Sequence, residues 1–203
     1  MFVAIACPGY VYRYFLEAHM SKADFTEHTL SSERVHEGRL LKINVDRIKL
    51  PDGSESTREY VVHPGAVAII PILASGRVIM ERQFRYPHGR DFIEFPAGKI
   101  DPGEDTLATA QRELREETGY AADDWRHLTT IHPVIAYSTE RIEIYVARGL
   151  TQGERALDPG EFLEVLEVEP AEAMQWLREG KITDVKTVIG LFWLDKLIRG
   201  DWQ

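Results

Sequence analysis

Three glutamates crowd the run from Gln111 to Tyr120, QRELREETGY: Glu113, Glu116 and Glu117, with Arg112 and Arg115 between them. Residues three and four apart are neighbours on one face of a helix. Glu113, Glu116 and Glu117 would therefore form an acidic edge beside an apolar stripe of Leu107, Ala110 and Leu114. Like charges so spaced weaken an isolated helix by about 0.2–0.5 kcal/mol per pair, and the two arginines offset only part of that. A hard divalent cation would offset more. Carboxylates, one or two waters and substrate phosphate oxygens are the ligands Mg²⁺ or Mn²⁺ takes. Taken alone, RELREE reads at least as well as a solvated helix face of mixed charge.

The elements that must position these side chains are legible around them. Asp105 can cap a helix over 105–118, and Gly119 can end it in a left-handed conformation. Before it, VHEGRLLKINVDRIKL (35–50) alternates roughly as strands do, and Pro51-Asp52-Gly53 supplies a turn after which 58–63 pairs back as a hairpin. Short β-rich runs follow at 66–72, 77–83 and 92–95, with Ser75-Gly76 between the first two. After the helix, 125–135, 141–147 and 162–168 read as further strands, broken by Pro159-Gly160. Pro170 opens a helix to about Glu179, and Asp184 caps a last one ended by Gly200. The strands form a mixed core sheet, and no internal repeat or interdomain linker interrupts them.

Composition narrows the classes. At 203 residues, 44% hydrophobic and 28% charged, the chain suits one ordinary globular domain with an appended element. A net charge of −9 argues against general nucleic-acid or membrane-surface binding, which needs basic fields. The lone Cys7 allows no intrachain disulfide and points to the cytoplasm. The apolar opening Phe2–Cys7 is too short to span a membrane and has no secretory n-region. Met20 offers an alternative start, which would make residues 1–19 an upstream extension.

A wider pattern changes the weight of RELREE. It runs from Gly98 through Glu104 to Arg112-Glu113-Leu114, then Glu116-Glu117, and closes with Gly119-Tyr120. This is similar to the signature of the Nudix family, with Tyr120 aromatic where an aliphatic residue is commoner. Average residue usage gives such a match by chance roughly once in a billion starting positions. The resemblance implies an α/β fold, a Nudix α/β/α sandwich with a mixed sheet and an N-terminal β-hairpin extension. It implies Glu113 and Glu117 as principal metal ligands, with Glu116 contributing both there and to catalysis and the carbonyl of Ala97 as a further ligand. Arg112 would hold a carboxylate in place, Gly98 would permit a close backbone turn, and Glu104 would cap or brace the loop. Mg²⁺ is the expected cofactor, with Mn²⁺ as the alternative.

Outside that box the chain resembles the ADP-ribose pyrophosphatase branch from about Val35 to the C-terminal helix. The resemblance rests on LPDG, TREYVVHPGAVAIIP, ERQFRYP, IEFPAGKID and HPVIAYSTERIEIYVA, which fall in that branch's order. It implies cleavage of the pyrophosphate of ADP-ribose, or a related nucleoside diphosphate sugar, to AMP and ribose 5-phosphate. Arg85 should meet a phosphate, Arg58 should lie near the adenine or its ribose, and Glu94 and Glu140 should line the pocket. Glu161, in the loop before FLEVLEV, should orient or deprotonate the attacking water, although Pro159 stands where the branch carries a second acid; Glu164 and Glu140 are alternates. Pro133 is close to the position of a proline linked to ADP-ribose preference. The domains expected are a partly disordered N-terminal extension (1–34), a dimerising strand region (35–64) and the hydrolase domain (65–203), assembled as a homodimer. Two other readings stand beside this: a hydrolase of another nucleoside diphosphate derivative or dinucleotide, and a non-catalytic ADP-ribose-binding regulator.

Overall fold

A computed structural model describes residues 24–157 and 159–202. Cys7, the apolar opening at 2–7 and the alternative start at Met20 lie outside the described residues. Strand pairing begins at His28, where alternation predicts it from Val35. His28–Glu37 (β1), Lys42–Lys49 (β2) and Glu55–Val61 (β3) form an antiparallel three-stranded sheet in the order β1-β2-β3, one strand more than the expected hairpin. Alternation misses β1 because all ten of its residues are exposed, so no buried face imposes a period. The β2–β3 turn is built as its residues dictate: Gly53 takes a φ of 89°, and Asp52 accepts from the amide and hydroxyl of Ser54.

The remaining chain is sorted by burial. Ala66–Pro71 (β4), AVAIIP, is buried throughout and must be covered on both faces. Around it lie Val78–Arg85 (β5), Arg90–Glu94 (β6) and Ala97–Lys99 (β7), then the helix Thr106–Thr118 (α1). Tyr120–Ala121 (β8), Asp124–Ile131 (β9), Ile142–Arg148 (β10), Thr151–Gln152 (β11) and Leu163–Val168 (β12) precede Pro170–Arg178 (α2) and Val185–Arg199 (α3). The central sheet runs β7-β4-β10-β9, with β4 and β10 parallel and the other pairs antiparallel; β12-β5-β6 forms a second, antiparallel sheet.

Alternate residues of β4 feed two cores. Val67 and Ile69 pack with Ile79, Ala110 and Leu114, under α1. Ala66, Ala68 and Ile70 pack with Ala173, Leu191 and Leu194, under α2 and α3. This is the expected α/β/α sandwich with a mixed sheet. The stripe of Leu107, Ala110 and Leu114 thus buries, which leaves the glutamates of α1 to face sideways.

Both framing helices are capped as their ends predict. Asp105 accepts from the amides of Leu107 and Ala108, and Gly119 ends α1 at a φ of 78°. Asp184 accepts from the amide and hydroxyl of Thr187, whose Oγ1 in turn accepts from the amide of Phe95 at 3.0 Å. A Cβ on Gly190 would come within 2.9 Å of the Phe95 ring, so α3 can lie this close to the end of β6 only with glycine there. The N-terminal sheet is tied to this body at Val61, whose amide donates to Tyr137 and whose carbonyl accepts from Thr139.

Candidate active site

The edge of α1 and the strands beside it enclose a cavity of about 530 Å³. One wall is acidic: Glu113, Glu116 and Glu117 from α1, and Glu161 from the loop before β12. Arg112 sorts the α1 carboxylates. Its guanidinium donates to Glu113 at 2.8 Å and Glu116 at 3.0 Å, while its other nitrogens hold Glu104 at 2.9 and 3.0 Å. Glu104 also accepts from Thr109 and the amide of Asp101, and the Arg112 pair pulls its carboxyl down to about 2. It braces the loop, as one of its two expected roles required.

Glu117 points the other way, where Ala97 donates its amide to Oε2 at 3.0 Å. Only 4% of Glu117 is exposed. Burial drives its carboxyl far above the usual range, reinforced by the charges of Glu81, Glu113 and Glu161. Burial likewise raises Glu113, with Arg112 only partly opposing it. So much carboxylate in one buried place is neutralised either by a proton or by a compensating cation.

Gly98 has a role different from the expected turn. It lies inside β7 without a positive φ, and the Glu113 carboxylate occupies the place a side chain would fill: a Cβ at Gly98 would sit 1.9 Å from Glu113 Cδ. The glycine makes room for a carboxylate rather than for a bend. Among the described residues no three His, Cys, Asp or Glu side chains are gathered closely enough to hold a metal ion by themselves. An open set of carboxylates is how a hard cation that keeps waters and substrate oxygens is met.

The opposite wall is basic. Arg85 ends β5 and donates to Glu94 through Nε at 2.7 Å and Nη2 at 2.8 Å. Lys186, in the first turn of α3, donates to the same Glu94 and to Asp184 at 2.9 Å. Burial alone would raise Glu94, but the Arg85 hydrogen bonds and the Lys186 charge outweigh it and hold its carboxyl at about 2. Arg85 and Lys186 both line the cavity. Glu94, expected to line it too, is 4% exposed and lies behind them as their anchor.

A third side carries Glu140, expected in the lining, together with Pro133, His63 and Leu40. His63 Nε2 stands 3.9 Å from Glu140, and its Nδ1 accepts from the amide of Gly65. Glu164 does not reach the site; it pairs with Arg82 on the outer face. Arg58 is also absent from this cavity. It sits on β3, paired with Glu27, on the N-terminal sheet of its own chain.

Lys186 and His63 on the cavity wall escaped sequence reasoning, as did the buried Glu81, which does not line the cavity. Glu81 carried a faint signal, an acid directly after the apolar run Val78-Ile79-Met80 of a strand. Lys186 carried none, because Glu94 is 92 residues away in sequence.

An α/β/α sandwich that sets a carboxylate edge of one helix against an anchored arginine and lysine is the frame of a hydrolase for a compound rich in phosphate. The chain belongs to the Nudix family: the NUDIX domain matches residues 62–188. A second family, the nucleoside diphosphate sugar hydrolase N-terminal domain, matches 27–61. The chain is 42% identical to "Methanol dehydrogenase activator" of Bacillus methanolicus over 84% of its own length and 93% of that protein. It is 36% identical to "ADP-ribose pyrophosphatase" of Bacillus subtilis (strain 168), over 83% and 92%. A solved structure described as "Crystal structure of ADP compounds hydrolase" superposes with a TM-score of 0.80 at 27% identity, covering 89% of this chain and 98% of the other. The Nudix resemblance read from residues 98–120 therefore holds, and with it the fold and the hydrolase class, whose members work with a divalent metal. No helix among the described residues is long and apolar enough to cross a membrane.

Proposed function

We propose that the protein hydrolyses the diphosphate of ADP-ribose, giving AMP and ribose 5-phosphate. The observation that carries this reading is a single cavity with a buried carboxylate wall on α1 facing Arg85 and Lys186. The likeness to an ADP-ribose pyrophosphatase along nearly its whole length supports the choice of substrate.

The donor set fits a hard divalent cation, Mg²⁺ or else Mn²⁺. Gly98 leaves space for Glu113, and Glu117 is buried among like charges with only one amide donor. Glu113, Glu116, Glu117 and the carbonyl of Ala97 would hold it. When bound, it supplies a counter-charge to the diphosphate and to the phosphate that leaves. Arg85 donates to a phosphate oxygen, a task for which a planar guanidinium is suited, and Glu94 fixes the plane of that guanidinium. Lys186 adds a second positive charge on the same wall. Glu161, within 3.4 Å of Gln83 Nε2 at the mouth of the acidic wall, orients the attacking water and accepts its proton, with Glu116 at hand beside it. Glu140, His63 and Pro133 contact the nucleoside or the terminal ribose.

The N-terminal sheet serves a second copy of the chain. Phe25, Leu30, Val35, Leu40 and Leu41 are large apolar residues exposed on or beside β1, more than a monomer usually leaves open in one place. A homodimer through this sheet would bring Arg58 near the adenine end of the partner's site. The lone cysteine supports a cytoplasmic setting, and the acidic net charge argues against a nucleic-acid partner.

Incubation with ADP-ribose and Mg²⁺ in heavy-oxygen water, followed by mass spectrometry, tests the reaction. AMP and ribose 5-phosphate with one heavy oxygen between them are expected. No turnover of ADP-ribose at any Mg²⁺ or Mn²⁺ concentration overturns it. Preferential turnover of another nucleoside diphosphate derivative would favour the second reading, to which the likeness to an "ADP compounds hydrolase" gives support.

A further inference from the structure

Behind Glu117 and Glu161 lies a carboxylate that belongs neither to α1 nor to the cavity lining. Glu81 stands in the middle of β5 and is 3% exposed. Alternate residues of a strand share a face, so Glu81, Gln83 and Arg85 point the same way. Arg85 lines the cavity and Gln83 donates to Glu161, which makes this the face turned to the site. Directly across the ladder stands Glu94, also buried.

Glu94 has both cations of the basic wall. Glu81 has no comparable partner: its Oε1 is closed to solvent and meets no hydrogen-bond donor among the described residues. Arg85 and Lys186 are engaged by Glu94. Burial and the negative charges of Glu161 and Glu94 outweigh the pull that Lys186 and Arg85 still exert on Glu81, and Glu81 in turn bears on Glu117. A buried carboxylate without a donor is costly, and an apolar residue of similar size would pack there at less cost. A structural reason for the acid is therefore missing, whereas a cation held by Glu113 and Glu117 would supply one.

We propose that Glu81 is a further oxygen donor of the divalent-cation centre, deeper in the molecule than the α1 glutamates and reached from β5. The proposal rests on the reading of α1 as the cation-binding helix. It predicts that Glu81 is needed for metal affinity and not for the metal-free fold, where its removal only relieves repulsion.

Titration of the full chain with Mn²⁺, read by the electron-spin resonance of the free ion, separates the possibilities, with melting temperatures measured with and without metal. Glu81→Gln and Glu81→Leu should weaken Mn²⁺ binding by about tenfold or more. Both should shrink the metal-induced rise in melting temperature, and leave the metal-free protein as stable as the wild type or more so. Glu117→Gln serves as the reference for loss of an α1 ligand. Wild-type Mn²⁺ affinity in both Glu81 variants, with affinity lost in Glu117→Gln, overturns the proposal and leaves the α1 reading standing. Equal binding by wild type and Glu117→Gln removes the α1 reading and the proposal together. Failure of both Glu81 variants to fold without metal also overturns it, because the acid would then be serving the metal-free fold.

Discussion

Glu81 and Glu94 sit opposite each other on β5 and β6, 3% and 4% exposed, yet their surroundings drive their carboxyls in opposite directions. Glu94 is gripped by Arg85 and Lys186 and held at about 2. Glu81, desolvated and facing Glu161, is pushed up. Two identical side chains at one level of a sheet are thus an anchor on one side and a carboxyl with a buried oxygen that meets no donor among the described residues on the other. Burial sets the size of the electrostatic effect, and the neighbours set its sign. The cavity inherits this division: the charges of its basic wall are paired within the protein, and those of its acidic wall are paired only in part.

The sharpest way to break that comparison is to take charge from the acidic wall. Glu117→Gln keeps the shape and removes a ligand charge, so kcat for ADP-ribose should fall by about three orders of magnitude. Circular dichroism should show the fold intact. A variant retaining full turnover would remove the acidic wall from the reaction.

On the basic wall the same exchange should act on stability first. Glu94→Gln strips the counter-charge from a nearly buried lysine, at a cost of about 3 kcal/mol, read in urea unfolding. Because Glu94 titrates lower in the folded protein than in the unfolded chain, its contribution is present above the usual carboxylate range and disappears as pH falls toward 2. The gap between wild type and variant should therefore close on acidification. A gap constant with pH would show that packing, not charge, holds Glu94.

Gly98→Ala should separate placement from charge. Its Cβ would collide with the end of the Glu113 side chain, which is flexible enough to move aside. Turnover should drop about a hundredfold from the misplaced carboxylate, with little change in melting temperature. An equal loss in both would mean that the glycine serves the backbone of β7.

The smallest effect is expected far from the cavity. The Arg58–Glu27 pair is about two-fifths exposed, so Arg58→Ala should change stability by less than about 1 kcal/mol. A rise in KM for ADP-ribose without a matching fall in stability would support its contribution to a partner's site, and sedimentation at micromolar concentration would show whether a dimer exists to receive it.

Much of this arrangement was written locally. Asp105 and Gly119 bound α1 as their types predict, and the spacing of Leu107, Ala110 and Leu114 fixed which side of the helix would bury. That in turn fixed where Glu113, Glu116 and Glu117 could face. Strand β1 was less legible, since a strand exposed on both faces needs no alternation. The purpose of Gly98 was legible only in part. The pattern marks the residue, but what it makes room for is a carboxylate fifteen positions later.

The amino-acid order by itself determined most of the elements, β1 excepted, together with the family and the acidic edge of α1, because caps, turns and periodic burial act over a few residues. The tertiary structure alone decided which glutamate would be an anchor and which would lack a partner. That outcome depends on Arg85, Lys186 and Glu161 arriving from a strand end, a helix start and a loop that are distant in the chain. Electrostatic energy depends on distance through space and on exclusion of water, and neither is written in sequence spacing.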